Sequence, residues 1–299
     1  MASSCEKKPS KTDTGAITAL DHSSGSAGVT TSNDKTALAG IDISKLDADK
    51  TDTFYKLVNS MKSPCGKSES LRKSFTTDTA CKRAPFAVRY LASLLEDEFP
   101  EDKIREAYVS HYEAPVTGKK LDTSKAPRIG NNDAAVTVIE FFDYACPHCA
   151  EFKPVLEAVS AAHPGQVVEY FMMFPLGQKF WPHSKSGAQA AIAANAQGKF
   201  PQMHDMLFAK TLETQQGGAP AHSKSDVLGY AKSIGLDLAK FEADYEAAAT
   251  QVETDKAQGS SAGVESTPGI FINGRRYEGP IHVTKYVDMW VLEEIAVNR

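Results

Sequence analysis

The sequence predicts an α/β fold that carries an inserted helical block and follows a small all-α segment. Three observations lead there. Residues 135–142 (Ala-Val-Thr-Val-Ile-Glu-Phe-Phe) and 167–174 are near-continuous runs of β-branched and aromatic residues, which is how strands covered on both faces read. Between them Phe152, Val155, Leu156 and Val159 fall at i, i+3, i+4 and i+7, on one face of a helix. Strand, helix and strand in that order imply a βαβ unit and a sheet with parallel neighbours. A long helical block at about 180–258 then separates these strands from a last strand-like stretch near 266–276.

The first 40 residues are dominated by Ser, Thr, Gly, Ala, Lys and Asp, without an aromatic residue or a periodic apolar pattern. This composition predicts a disordered tether. The opening Met-Ala-Ser-Ser-Cys resembles the end of a bacterial lipoprotein signal, with Cys5 as the residue that would be lipidated and Ala2 where such signals carry an apolar residue. An ordinary cysteine in a disordered tail is the competing reading.

Residues 41–115 read as a helical domain. Phe54, Leu57, Val58 and Met61 share a helical face, and Ser63-Pro64-Cys65-Gly66 stops that helix. A second helix starts at Pro85 and carries Val88, Leu91 and Leu95. A third, after Phe99-Pro100, carries Ile104, Tyr108 and either His111 or Tyr112. A bundle of three such helices needs a staple or a partner. A disulfide between Cys65 and Cys81 could supply it, closing a loop of about 17 residues and contributing on the order of 3 kcal/mol. Residues 116–132, rich in Pro, Gly, Lys and Asp, read as a linker to a second domain at 133–299.

The chemistry concentrates where the first strand runs into a helix, at Glu140-Phe-Phe-Asp-Tyr-Ala-Cys146-Pro147-His148-Cys149. Only a thiolate attacks a disulfide, and an ordinary thiol is mostly protonated at neutral pH. The unpaired N–H groups and positive dipole at a helix start favour the anion. Cys146, at the helix mouth, is therefore the expected nucleophile. Cys149, a turn further on, can close a disulfide with it or resolve a mixed disulfide. His148 is expected to set a positive or hydrogen-bonding group beside the Cys146 sulfur. Two other readings of the pair are half of a zinc site and a structural disulfide. The first lacks a second Cys-x-x-Cys or His-x3-His partner, so no metal is expected. The second would be strained and labile at this spacing.

The segment Phe-Phe-Asp-Tyr-Ala-Cys-Pro-His-Cys after an apolar strand, with a later Thr-Pro, resembles the active-site region of the DsbA family of thioredoxin-fold thiol oxidoreductases. The resemblance implies a thioredoxin fold with an inserted helical subdomain and a redox-active Cys146–Cys149 disulfide in place of any cofactor. It also implies a cis peptide before Pro268 facing that disulfide, with the backbone of Thr267 offered to an extended substrate chain. Glu140, a lone charge in a buried strand, is expected to exchange a proton with Cys149, its own pKa raised by desolvation. The expected partners are the thiols of unfolded or partly folded proteins and a membrane redox protein that recycles the pair. The expected location is the bacterial periplasm or cell envelope.

Within the insertion, His183, His204 and His222 form no ligand spacing and read as surface or capping residues. Asn273-Gly274 between strand-like runs predicts a hairpin. Val283, Tyr286, Val287, Trp290 and Val291 predict a closing amphipathic helix. A net charge of −5 with no basic cluster argues against nucleic acid as a partner.

The N-terminal segment is similar in layout to the three-helix domain of CcmH-type cytochrome c maturation proteins, but keeps only Cys65 where that family has a Cys-x-x-Cys. It reads as a structural appendage or as a docking module. The expected function is a thiol-disulfide oxidoreductase that donates the Cys146–Cys149 disulfide to exported proteins, and three others stay open: a disulfide reductase or isomerase, a reductant for cytochrome c maturation, and a lipid-anchored peptide-binding scaffold.

Overall fold

The computed structural model describes residues 33–114, 121–177, 181–216 and 221–298. Cys5 and most of the tether lie outside these residues. The helical segment consists of α1 (Ala48–Ser60), α2 (Leu71–Thr77), α3 (Ala84–Glu96) and α4 (Glu101–Tyr108), the last continuing through a π-turn at Val109–Glu113. Asp47 caps α1, its carboxylate accepting from the Lys50 N–H at 2.8 Å. Pro85 lies in the first turn of α3, where its missing N–H costs nothing. The helix α2 departs from the expected three helices. Seven residues are too few to show a helical period, and only its Ser70 cap marks it. Cys65 and Cys81 are bonded, which ties the loop after α1 to the start of α3.

The tether is shorter than its composition predicts. From residue 34 it lies on the helices: Asn59 donates to the Asp34 carbonyl at 2.9 Å, Arg72 donates to the Thr36 carbonyl at 2.9 Å, and Leu38 is buried among the helical side chains.

A five-stranded sheet follows, in the order β1-β3-β2-β4-β5, with β1 (Arg128–Gly130), β2 (Val136–Phe142), β3 (Val167–Met173), β4 (Gly269–Ile272) and β5 (Arg275–Tyr277). The central β2 runs parallel to β3 and antiparallel to β4. The edge strand β1 falls inside the stretch expected to be linker. Three exposed residues give no strand pattern, and β1 exists by pairing with β3. Asn273 and Gly274 both take positive φ between β4 and β5, which is the backbone of a tight hairpin turn.

One face of the sheet packs Val136 and Val138 against α5 (Pro147–Ala162) and α10 (Thr284–Val297), through Phe152, Val159, Trp290 and Val291. The other face, with Phe141, Met172 and Phe174, is covered by α9 (Leu238–Ser261), which approaches so closely that a Cβ on Gly259 would lie 2.7 Å from the Phe174 ring. With α6 (Ser184–Asn195), α7 (Phe200–Gln215) and α8 (Lys224–Ser233), α9 forms the inserted block.

The helix α10 faces two ways. Its Tyr286 belongs to the core of the N-terminal helices, while Val287, Trp290 and Val291 belong to the sheet core. Arg83, the residue before α3, reaches the buried carboxylates of Glu293 and Glu294, the latter at 2.6 Å, and Tyr112 donates to Glu293 at 2.8 Å. His111 is stacked between Tyr112 and Trp290. The partner that the small bundle needs is therefore this last helix.

Candidate active site

Cys146 is the residue that caps α5, and Pro147 opens the helix. Strand β2 delivers the chain to this point, and the turn between is held from several sides. Asp143, itself buried, accepts from the backbone of Ala145 at 2.9 Å and of Leu176 at 2.8 Å, and from the Ser184 hydroxyl. Thr211 on α7 donates to the Tyr144 carbonyl at 2.5 Å and contacts His222 Nε2 at 2.8 Å, while the Tyr144 hydroxyl meets His204 Nδ1 at 2.9 Å. The insertion thus clamps the turn that presents the sulfurs.

His204 and His222 are consequently buried, not on the surface as their sequence spacing suggests. Burial drives both imidazoles below their usual range, His204 to about 3 and His222 to about 4. Only His183, at the start of α6, is half-exposed.

Both active-site cysteines are buried and unbonded to other residues. The hydrogen bond from the Cys149 thiol is the largest influence on Cys146 and pulls it down to about 6; burial opposes this, and Thr267 and the backbone N–H groups of Cys149 and His148 add to it. Cys149 moves the other way. Desolvation first, then the neighbouring Cys146, push it well above the ordinary thiol range. One sulfur is an anion at neutral pH and the other is a thiol.

The contribution of His148 differs from expectation. Its backbone N–H, at the first turn of α5, supports the Cys146 sulfur, while its ring points outward to Glu151, 3.3 Å away. A helix start supplies main-chain donors whatever side chain follows.

Glu140 is buried on β2, and its Oε1 has no hydrogen-bond partner among the described residues. Desolvation, then the nearby Glu169 and Cys146, hold its carboxyl well above the usual range. Were Glu140 ionised, its charge would raise Cys149 further. The peptide before Pro268 is cis, and the Thr267 carbonyl oxygen lies 3.6 Å from the Cys146 sulfur. The structure thus brings Glu140, Cys146, Pro147, Cys149, Thr267 and Pro268 together, and keeps Cys65 and Cys81 apart in their own disulfide. Sequence reasoning passes over Asp143, Thr211 and the two buried histidines as site residues. Asp143 alone stood in the motif.

Beside Pro147 lies a groove lined by Ala145, Trp181, Pro182, Thr211, Thr214 and His222.

The chain is 33% identical over 157 residues to a protein named Na(+)/H(+) antiporter NhaA 3 from Salinispora tropica, a match that covers 52% of this chain and 22% of that protein. A similar match, 31% identical, is found to the Na(+)/H(+) antiporter NhaA of Herminiimonas arsenicoxydans, again over 22% of its length. The chain therefore spans only about a fifth of these relatives. Among solved structures, the thioredoxin-like oxidoreductase of Silicibacter pomeroyi is 28% identical with a TM-score of 0.46, covering 55% of this chain and 90% of that one. The α-DsbA1 protein of Wolbachia pipientis is 16% identical with a TM-score of 0.50, covering 58% and 92%. The family model described as thioredoxin matches residues 122–289, more than half of the chain and every strand of the sheet, and the chain belongs to the thioredoxin family.

Proposed function

We propose that the protein is a thiol-disulfide oxidoreductase that donates its Cys146–Cys149 disulfide to exported proteins. The opposite displacement of the two thiols carries this reading. A substrate thiolate attacks the Cys146 sulfur, the Cys146–Cys149 bond breaks, and Cys149 leaves with the electron pair. Because its pKa is high, Cys149 takes a proton at once, and Glu140, protonated and adjacent, can supply it. A second substrate thiolate then attacks the substrate sulfur of the mixed disulfide. Cys146 departs as a stable thiolate, the substrate gains a disulfide, and the enzyme is left reduced. The two sulfurs carry all the electrons, so the reading requires no further cofactor.

The Thr267 carbonyl beside Cys146 and the groove beside Pro147 offer a backbone contact and an apolar surface to an extended chain. Unfolded protein thiols fit both. Such chemistry belongs in the periplasm or cell envelope, where disulfides persist, and a lipid on Cys5 would hold the protein there beside a membrane partner that reoxidises it. The curated relatives are named as antiporters, and the segment they share with this chain amounts to about a fifth of their length. No helix among the described residues is long and apolar enough to cross a membrane.

The decisive experiment equilibrates the pair against a glutathione series. A potential of about −120 to −150 mV supports donation, whereas one near about −250 mV would turn the assignment to a reductase or isomerase.

A further inference from the structure

The rim of the redox pair carries a cluster that the thiol chemistry does not use. His148 and Glu151 lie one turn apart on α5, and the loop between β5 and α10 brings His282 across to them. Glu151 Oε2 is 3.3 Å from His148 Nδ1 and 3.5 Å from His282 Nδ1. One ligand atom from each of the three lies within 4.8 Å of the other two. These separations are long for hydrogen bonds, whose N–H···O distances fall at about 2.7–3.2 Å. The two Glu151 distances also suit neighbouring ligands on a tetrahedron, because two ligands each about 2.1 Å from a zinc ion stand about 3.4 Å apart. Two imidazoles, one carboxylate and an open position form the donor set of zinc sites that keep a coordination place free.

We propose that His148, Glu151 and His282 bind a divalent transition-metal ion at the mouth of the active site, Zn²⁺ or, more tightly by the usual affinity order, Cu²⁺. All three side chains are exposed, so the ion can enter without any opening of the fold. Neither cysteine is a ligand, so binding does not depend on the redox role proposed above. An ion held there would fix the ring of the residue between the two cysteines and set a double positive charge beside the redox pair.

The test titrates Zn²⁺ into the full chain with Cys146 and Cys149 oxidised to their disulfide, which removes sulfur as a competing ligand. Binding is read by competition with a chromophoric chelator. One Zn²⁺ per chain is expected, with affinity reduced roughly tenfold or more in His282→Ala and in Glu151→Gln. His163→Ala, which alters a His163–Asp288 pair elsewhere on the surface, should bind as the parent does. Circular dichroism checks that each variant is folded, as expected for exposed positions. Equal affinity in the parent, His282→Ala and Glu151→Gln would overturn the proposal, and so would the absence of binding at millimolar Zn²⁺.

Discussion

Cys146 and Cys149, one helical turn apart, are driven in opposite directions by the contact they share: the Cys149 thiol donates to the Cys146 sulfur, which makes the first a better anion and the second a poorer one. Burial separates them further, because Cys149 is the more deeply buried of the two.

Alkylation of the reduced protein should follow a titration centred near pH 6, about where Cys146 ionises. A folded-state pKa below the ordinary value stabilises the reduced protein above that pH, and the benefit is lost as pH falls through about 6. At pH 7 it amounts to about 1.4 kcal/mol relative to an ordinary thiol, or roughly 30 mV of potential. Reduction takes up one proton above pH 6 and two below. The potential should therefore fall by about 30 mV per pH unit on the alkaline side and about twice that on the acid side. A single slope across pH 5–8 would contradict the separation of the two thiols.

Exchange with a thiol-bearing peptide distinguishes the two roles. Cys146→Ser should lose turnover, while Cys149→Ala should accumulate a mixed disulfide at Cys146, visible by mass spectrometry. Equal accumulation in both variants would reverse or erase the assignment.

Glu140→Gln tests the buried carboxyl. A carboxyl whose folded pKa is raised costs stability as pH rises above the ordinary carboxylate range, because the unfolded chain ionises more readily. The oxidised variant should melt higher than the parent at pH 8 and about equally at pH 4. An identical difference at both pH values would show that Glu140 is not held protonated.

The junction between β2 and α5 is legible in the sequence because a two-sided buried strand and an amphipathic helix leave different periods on either side of Cys146. Glu140 is legible for the same reason, as a charge with no place on a covered strand. The clamp on the turn is not. Tyr144, Thr211 and His222 meet through tertiary contacts, and a histidine held at Nε2 by a threonine hydroxyl looks in the sequence like any polar residue of a connecting loop. The edge strand β1 and the short α2 fail for a simpler reason. Each exists by virtue of its neighbours, with too few residues to carry a period of its own.

Removing the Cys65–Cys81 bond by a double change to alanine should cost on the order of 3 kcal/mol in denaturant unfolding, from the length of loop it closes. Exchange at Cys146 should continue in the folded protein, since this disulfide stands apart from the site. Loss of exchange at full folding would tie the two together.

Arg83→Ala should destabilise the chain by about 3–5 kcal/mol, because it leaves Glu293 and Glu294 buried without their cation. Burial already lifts Glu293 to about 7. Its protonated form needs no partner, so the loss should be smaller at pH 5 than at pH 8, measured as urea midpoints at each pH.

Because α10 supplies a wall to the N-terminal core through Tyr286 and to the sheet core through Trp290, the order of synthesis and the order of completion diverge. The helices made first keep an uncovered apolar side while the sheet and the insertion emerge from the ribosome, and they wait for residues 284–297. Domains ordinarily fold one after another as they are made. Here both halves of the chain are finished by the same late helix.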